Sequence, residues 1–290
     1  MQASLLYKSE CKLGEGPMWS AKRNSCFWVD IDGKCLYEYN WQTTEVQRWQ
    51  LEQRPSLIVE TKNNDLILGL ENGLASFDLQ TNILHWLVEV EKNIPANRSN
   101  DGGCDVTGRL WMGTMATDSE PHKGSLYCID KNFTVTKKRG DLTISNGLTW
   151  SLDNKRMYLV DSPTQTVQSF LFDADNANIT FEKVVIEIDK QLGTPDGMVI
   201  DEEGMLWIAH WGGFGVYRWN PLTGQLLEKI DVPVPQVSCC AFGGENLDHL
   251  IITTARENIR EEDLKKYPDS GNIFVTKVNV KGVPKFKFNN

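Results

Sequence analysis

Residues 196–224 read "DGMVIDEEGMLWIAHWGGFGVYRWNPLTG", three short apolar runs separated by polar turns that contain glycine. Each run is too short for a typical helix and is bounded by Gly, Asn, Asp or Pro, which is typical of strands in successive hairpins. The stretch opens with an Asp-Gly pair that leads directly into the first apolar run. The same opening occurs elsewhere in the chain, so the unit is a candidate repeat.

The pattern recurs six times with a period of about 45 residues, the period expected of propeller blades. The units begin, in one phase of the repeat, at Glu15, Ser56, Asp101, Asn146, Asp196 and Ser238. Six blades that close on themselves leave only short, protected edges. We therefore predict an all-β fold, a six-bladed β-propeller with four-stranded blades, as one domain over residues 1–290. Residues 3–9 are expected to add a strand to the last blade and close the ring.

Four of the six phase positions carry a carboxylate or a carboxamide, namely Glu15, Asp101, Asn146 and Asp196. The first strand of each propeller blade lines the channel, so these side chains should face one axis. Acidic groups gathered in a narrow channel are unfavourable unless a positive charge neutralises them. Oxygen ligands without His or Cys favour Ca²⁺, Mg²⁺ or Mn²⁺, although Zn²⁺ accepts such a set. The sequence therefore predicts one divalent metal ion in the channel, of open identity.

Composition excludes several other classes of function. The formal net charge of −9 argues against binding to nucleic acid or to an anionic membrane surface, both of which need clustered Lys and Arg. The first residues contain no apolar core of signal-peptide length, and no run is long enough for a membrane helix. Seven cysteines without a CxxC motif fit a reducing compartment. A cytoplasmic protein is expected, and its oligomeric state stays open.

Six segments, taken in order, resemble the senescence-marker-protein (regucalcin), gluconolactonase and luciferin-regenerating-enzyme-like family. They are "GEGPMW" (14–19), "RSNDGGCDVTGRLWMGTMA" (98–116), "SNGLTWS" (145–151), "TPDGMVIDEEGMLWIA" (194–209), "CCAFGG" (239–244) and "VKGV" (280–283). The resemblance covers essentially the whole chain. It implies a six-bladed propeller that hydrolyses a small sugar lactone with one divalent metal ion.

The resemblance also assigns residues. The family's metal ligands fall on three of the phase positions, Glu15, Asn146 and Asp196. Its substrate contacts fall on Arg98, Asn100, the following Asp101, and Asp118. Thr117 stands where the family often has an acid, a departure that affects sugar specificity more than chemistry.

The implied reaction is the opening of a cyclic ester. The metal would polarise the carbonyl, and either Asp196 as general base or a metal-bound hydroxide would activate the water. Two other functions stay open: a metal-dependent phosphotriesterase or arylesterase with a more apolar pocket, and a non-catalytic calcium-binding propeller. His210 and Trp211 lie near the expected channel mouth, where substrate contact and packing are both open.

Overall fold

The computed structural model describes residues 1–289 and contains six antiparallel sheets of four strands each. Blade 1 consists of β2 (Gly14–Ser20), β3 (Ser25–Asp30), β4 (Cys35–Asn40) and β5 (Val46–Gln50). Blade 2 consists of β6 (Pro55–Glu60), β7 (Leu66–Leu70), β8 (Gly73–Asp78) and β9 (Ile83–Glu89). Blade 3 consists of β10 (Asn97–Cys104), β11 (Leu110–Ala116), β12 (Gly124–Ile129) and β13 (Val135–Leu142).

The other three blades repeat this arrangement. Blade 4 consists of β14 (Ser145–Trp150), β15 (Arg156–Asp161), β16 (Thr166–Asp173) and β17 (Asn178–Glu187). Blade 5 consists of β18 (Thr194–Ile200), β19 (Leu206–Trp211), β20 (Gly215–Trp219) and β21 (Leu226–Asp231). Blade 6 consists of β22 (Val237–Gly243), β23 (His249–Thr254), β24 (Ile273–Lys277) and β1 (Ser4–Tyr7). The six-bladed propeller predicted from the repeat is confirmed.

The two ends of the chain close the ring in blade 6. Strand β1 pairs antiparallel with β24, with Ser4 opposite Val275, so the sheet order is β22, β23, β24 and β1. This confirms the predicted closure by residues 3–9. The single α-helix, α1 (Glu261–Lys266), lies between β23 and β24. No helix among residues 1–289 has the length and apolar character needed to cross a membrane.

The first strands of the blades form the wall of the channel, because each contacts the first strand of the next blade around the ring. Each of the six also has an irregularity of pairing at the phase position of the repeat. In β18, for example, the register shifts between Pro195 and Met198. Such bulges bend a strand and redirect a side chain. The bulge therefore turns the polar residue at this position away from the regular alternation of the strand.

The glycines after Asn146 and Asp196 are required by the neighbouring blade. A Cβ added at Gly147 would lie 2.6 Å from the carbonyl oxygen of Asp196, and one added at Gly197 would lie 2.2 Å from Sγ of Cys239. Glycine is the residue that permits such close approach of two backbones. The recurring Asx-Gly pairs thus allow tight contact between consecutive inner strands, which brings the preceding polar side chains together.

Tryptophans of the second strands form the packing between blades. Trp111 and Trp207 are completely buried, as is Trp28 in blade 1. The indole Nε1 of Trp111 donates to Asp105 Oδ2 and that of Trp207 donates to Asp201 Oδ2, each at 2.9 Å. Most buried indole N–H groups have such a partner, whereas Nε1 of Trp28 has none among residues 1–289.

All seven cysteines are buried and free.

Candidate metal and substrate site

Three oxygen-bearing side chains meet in the channel from different blades. Glu15 comes from β2, Asn146 from β14 and Asp196 from β18, each at the bulge of its strand. Asn146 and Asp196 expose only 5% and 8% of their surface. Asn146 is held by its amide nitrogen, which donates to Ser162 Oγ at 3.1 Å. Oε2 of Glu15 accepts the N–H of Gly16 at 3.0 Å.

The two carboxyl groups of this set lie in each other's electric field. Burial raises the pKa of Asp196 well above its ordinary value, and the charge of Glu15 raises it further. Burial, followed by the charge of Asp101, raises the pKa of Glu15 to about 8. Both shifts have the same cause, since desolvation and like charges disfavour the ionised form. A cation between the carboxylates would remove that penalty.

The donor set fits a hard cation. Oδ1 of Asp196 is buried and has no hydrogen-bond partner within residues 1–289, and an unsatisfied buried acceptor costs about 1–3 kcal/mol. No group of three or more His, Cys, Asp or Glu side chains in the described part of the chain is placed to hold a metal. The predicted set instead combines two carboxylates with one carboxamide, all of them oxygen ligands of the kind that Ca²⁺ and Mg²⁺ prefer.

Arg98 and Asn100 lie beside this set on β10. Arg98 is 8% exposed, and its Nη1 donates to the carbonyl of Ser99 at 2.9 Å and to Oδ1 of Asn100 at 2.7 Å. Nδ2 of Asn100 donates to the carbonyl of Ser145 at 3.0 Å, which ties blade 3 to blade 4. Burial lowers the pKa of Arg98, and the charge of Glu15 is among those that oppose this effect. The structure therefore brings both residues close to the carboxylates.

The other two predicted substrate contacts occupy different places. Asp101 lies near Glu15 and Asp196 and raises the pKa of both, yet its side chain also lines an apolar cavity farther along the channel. Asp118 lies in the exposed turn after β11, where its Oδ1 accepts the N–H of Glu120 at 3.1 Å. Its described hydrogen bond is local to that turn, so its contact with substrate stays a prediction.

The two remaining phase positions are serines whose hydroxyl groups are hydrogen-bonded to neighbouring blades. Ser56 Oγ lies 2.6 Å from Ser99 Oγ, and Ser238 Oγ donates to the carbonyl of Gly14. These hydroxyls connect neighbouring blades. The carboxylate and carboxamide side chains at the phase positions therefore come from blades 1, 3, 4 and 5 only.

Charged residues that the repeat did not indicate also surround Arg98. Asp32 and Glu257 both raise its pKa by their charges, and burial raises the pKa of Glu257 itself. Nε of Arg54 pairs with Oδ1 of Asp32 at 3.1 Å. These residues follow blade strands in segments without a shared spacing, so no sequence pattern could have identified them.

The structure decides the role of His210, which was open. Its side chain is fully buried and stacks on Tyr217 with ring centroids 4.0 Å apart. Its Nδ1 lies 2.9 Å from the carbonyl of Leu192, and burial lowers its pKa to about 4. His210 is a neutral core residue. Trp211 is half-buried and packs against the apolar cluster that contains Leu13 and Ala255.

The fold and this site define a class of protein, a six-bladed propeller with buried carboxylates at one level of its channel. Residues 13–256 match the family model described as "SMP-30/Gluconolactonase/LRE-like region", and the chain belongs to this family. The rabbit (Oryctolagus cuniculus) protein regucalcin is 34% identical over 284 residues, which cover 96% of this chain and 95% of the rabbit protein.

Two further relatives match over nearly their full lengths. A protein of Bacillus subtilis strain 168, named putative sugar lactone lactonase YvrE, is 31% identical over 97% of each chain. Among solved structures, the calcium-binding protein regucalcin of Agrobacterium tumefaciens superposes with a TM-score of 0.95 at 29% identity, covering 100% of this chain and 98% of the other.

Proposed function

We propose that this protein is a metal-dependent hydrolase that opens small sugar lactones. The observation that carries the proposal is the buried, unpartnered Oδ1 of Asp196, next to a second carboxylate from another blade. Family membership supports the substrate class, since a relative of similar length is named a putative sugar lactone lactonase.

Glu15, Asn146 and Asp196 would hold the metal ion. Their oxygens suit Ca²⁺, Mg²⁺, Mn²⁺ or Zn²⁺, and the Agrobacterium relative is named a calcium-binding protein. When bound, the ion would act as a Lewis acid on the lactone carbonyl. The protein's part is to hold three oxygens in place before the ion arrives, as the Ser162 hydrogen bond does for Asn146.

Arg98 and Asn100 would bind and orient the sugar hydroxyls. The guanidinium offers several N–H donors in one plane, and only Nη1 is used in the hydrogen bonds described above. The Asn100 bond to the Ser145 carbonyl fixes the amide relative to the metal-binding residues of blade 4. This pair favours a hydroxylated substrate over an apolar phosphotriester.

Asp196 would also accept the proton of the attacking water. Its buried carboxyl group lies among the metal-binding oxygens, where it would be within reach of a water that attacks a bound lactone. A carboxylate has two oxygens, so one would bind the ion while the second accepts the proton. The buried imidazole of His210 is stacked in the core and does not compete for this role.

A substrate comparison tests the proposal. Hydrolysis of D-glucono-δ-lactone and of paraoxon would be followed after addition of Ca²⁺, Mg²⁺, Mn²⁺ or Zn²⁺ to metal-free protein. We expect turnover of the lactone with at least one metal and little turnover of paraoxon. Preferential hydrolysis of paraoxon would instead support the phosphotriesterase alternative, and binding of Ca²⁺ without turnover of either substrate would support a calcium-binding propeller.

A further inference from the structure

The apolar cavity lined by Asp101 occupies the other end of the same channel. It has a volume of about 650 Å³ and begins just after the phase positions, where the inner strands continue. Its walls are mostly apolar and include side chains of five inner strands: Met18, Leu57, Leu148, Met198 and Phe242. Cavities of about 300–1,000 Å³ with such walls are typical of small-molecule sites. We call it the lower chamber.

The C-terminal segment 283–287 crosses the outer end of the lower chamber. It is anchored at its two ends, where Gly282 N–H donates to the Leu247 carbonyl and Phe288 N–H donates to the Glu60 carbonyl, both at 2.8 Å. Within residues 1–289, the backbone groups of 283–287 make no backbone hydrogen bond. Leu152 and Phe286 at the rim are 49% and 40% exposed. The chamber is therefore covered by a strap whose backbone is hydrogen-bonded to the blades only at its ends.

Gly103 in β10 keeps the chamber open. Of the 23 glycines, it alone combines an ordinary φ with a position where an added Cβ would meet nothing nearer than 3.9 Å, the contact being Cζ3 of Trp150. A glycine within a strand is unfavourable unless the backbone or a ligand needs the space. Neither φ nor packing requires glycine at position 103. The adjacent Gly102 differs, because a Cβ added there would lie 2.4 Å from the Trp111 carbonyl oxygen. The missing side chain at Gly103 serves only the volume of the chamber.

We propose that the lower chamber binds a small amphiphile with one anionic group, its apolar part between the inner strands and its anion at the strap beside Lys285. The Lys285 ammonium has three donors and, within residues 1–289, makes one hydrogen bond, to the Pro17 carbonyl at 3.3 Å, while its charge also acts on Asp101. Lys287 is engaged with Glu60 at 2.9 Å and with Asn64 at 2.8 Å. Lys285 is thus the cation at the mouth with donors to spare.

The distribution of carboxylates favours an anion over a cation as ligand. Glu60 is neutralised by Lys287 and accepts a hydrogen bond from Ser20, and Glu245 is exposed at the rim. Asp101 lies at the inner end of the chamber. A cationic head group would have to cross the apolar walls to reach Asp101, whereas an anionic one stays at the solvent edge, which avoids the desolvation of its charge. The inference does not rest on the proposed lactonase activity.

Calorimetric titration with three ten-carbon probes tests the proposal: decanoate, decanol and decyltrimethylammonium, each below its micelle concentration. We expect wild-type protein to bind decanoate most tightly. Lys285→Gln should weaken decanoate binding about tenfold and leave decanol unchanged, because a hydrogen bond to a charged group is lost. The matched control is Lys131→Gln in the exposed turn after β12, which should bind all probes as wild type does.

Gly103→Leu places a side chain inside the chamber and should weaken binding of both decanoate and decanol while the thermal unfolding midpoint does not fall. If Gly103→Leu does not fold, Gly103→Ala serves in its place, with weakened binding of both probes expected. Wild type that binds none of the probes, a folded filled variant that binds decanoate as wild type does, or a preference for decyltrimethylammonium would each overturn the proposal.

Discussion

The two ends of the channel are built by the same six strands and differ in almost every property. At the level of the bulges, Glu15, Asn146 and Asp196 bring buried oxygens together, one of which has no hydrogen-bond partner. A few residues farther along, those strands present Met18 and Met198 to the lower chamber. One end therefore has a buried acceptor without a hydrogen-bond partner among residues 1–289, and the other has empty apolar volume.

The bulges explain how one strand can supply both ends. Each inner strand leaves regular pairing at the phase position, and this redirects one polar side chain while the rest of the strand keeps its apolar face. The contrast shows that chemistry in this channel depends on local irregularity of the backbone. Variants at the two ends should accordingly have different effects.

The largest effect is expected from Asp196→Asn at the polar end. The substitution keeps a coordinating oxygen and removes the charge and the proton acceptor, so kcat for the lactone should fall by about 10² or more. Steady-state kinetics at saturating metal would measure this, with Asp65→Asn in an exposed turn as the control. Wild-type kcat in Asp196→Asn would show that another group takes the proton.

A smaller effect is expected from Arg98→Lys, which keeps the charge and removes the planar fork. Because the guanidinium would bind substrate hydroxyls in the ground state and the transition state alike, KM should rise about tenfold with little change in kcat. Metal affinity should stay at the wild-type value. Arg156→Lys, in the outer ion pair with Glu182, is the matched control. A loss confined to kcat would contradict the assignment of substrate binding.

The smallest effect is expected from adjacent glycines of β10. Gly103→Ala should raise the free energy of unfolding by about 0.5–1 kcal/mol, because alanine lowers the conformational entropy of the unfolded chain. The added Cβ would meet no atom nearer than 3.9 Å in the folded protein. Gly102→Ala should lower it by about 1–3 kcal/mol, since its Cβ would overlap the Trp111 carbonyl. Urea unfolding of both variants measures the difference. Equal effects at the two positions would show that the chamber is not open at Gly103.

The sequence predicted the parts of this molecule that repeat. The six phase positions and the closing strand β1 follow from periodicity or from family resemblance. The repeat also selected Glu15, Asn146 and Asp196, and the structure places Glu15 close enough for its charge to raise the pKa of Asp196. The position of a residue within its strand depends on nearby residues only, so the repeat pattern of the sequence indicates it.

Features that depend on the path of segments outside the blades could not be predicted. Glu257 and Asp32 reach Arg98 from connections without common spacing. The lower chamber exists because residues 283–287 pass over the channel, and no periodic signal marks that path. Gly103 follows Gly102 in "DGGC", where the sequence alone gives both glycines the same explanation by turn chemistry.

The central claim, that the oxygens at the polar end hold a metal ion required for lactone opening, is tested most directly by removing the metal. Protein dialysed against a chelator should hydrolyse D-glucono-δ-lactone no faster than the spontaneous reaction, while its far-UV circular dichroism stays unchanged because the blades bury their own core. Addition of a divalent ion should restore activity. Full turnover by the metal-free protein would contradict the account.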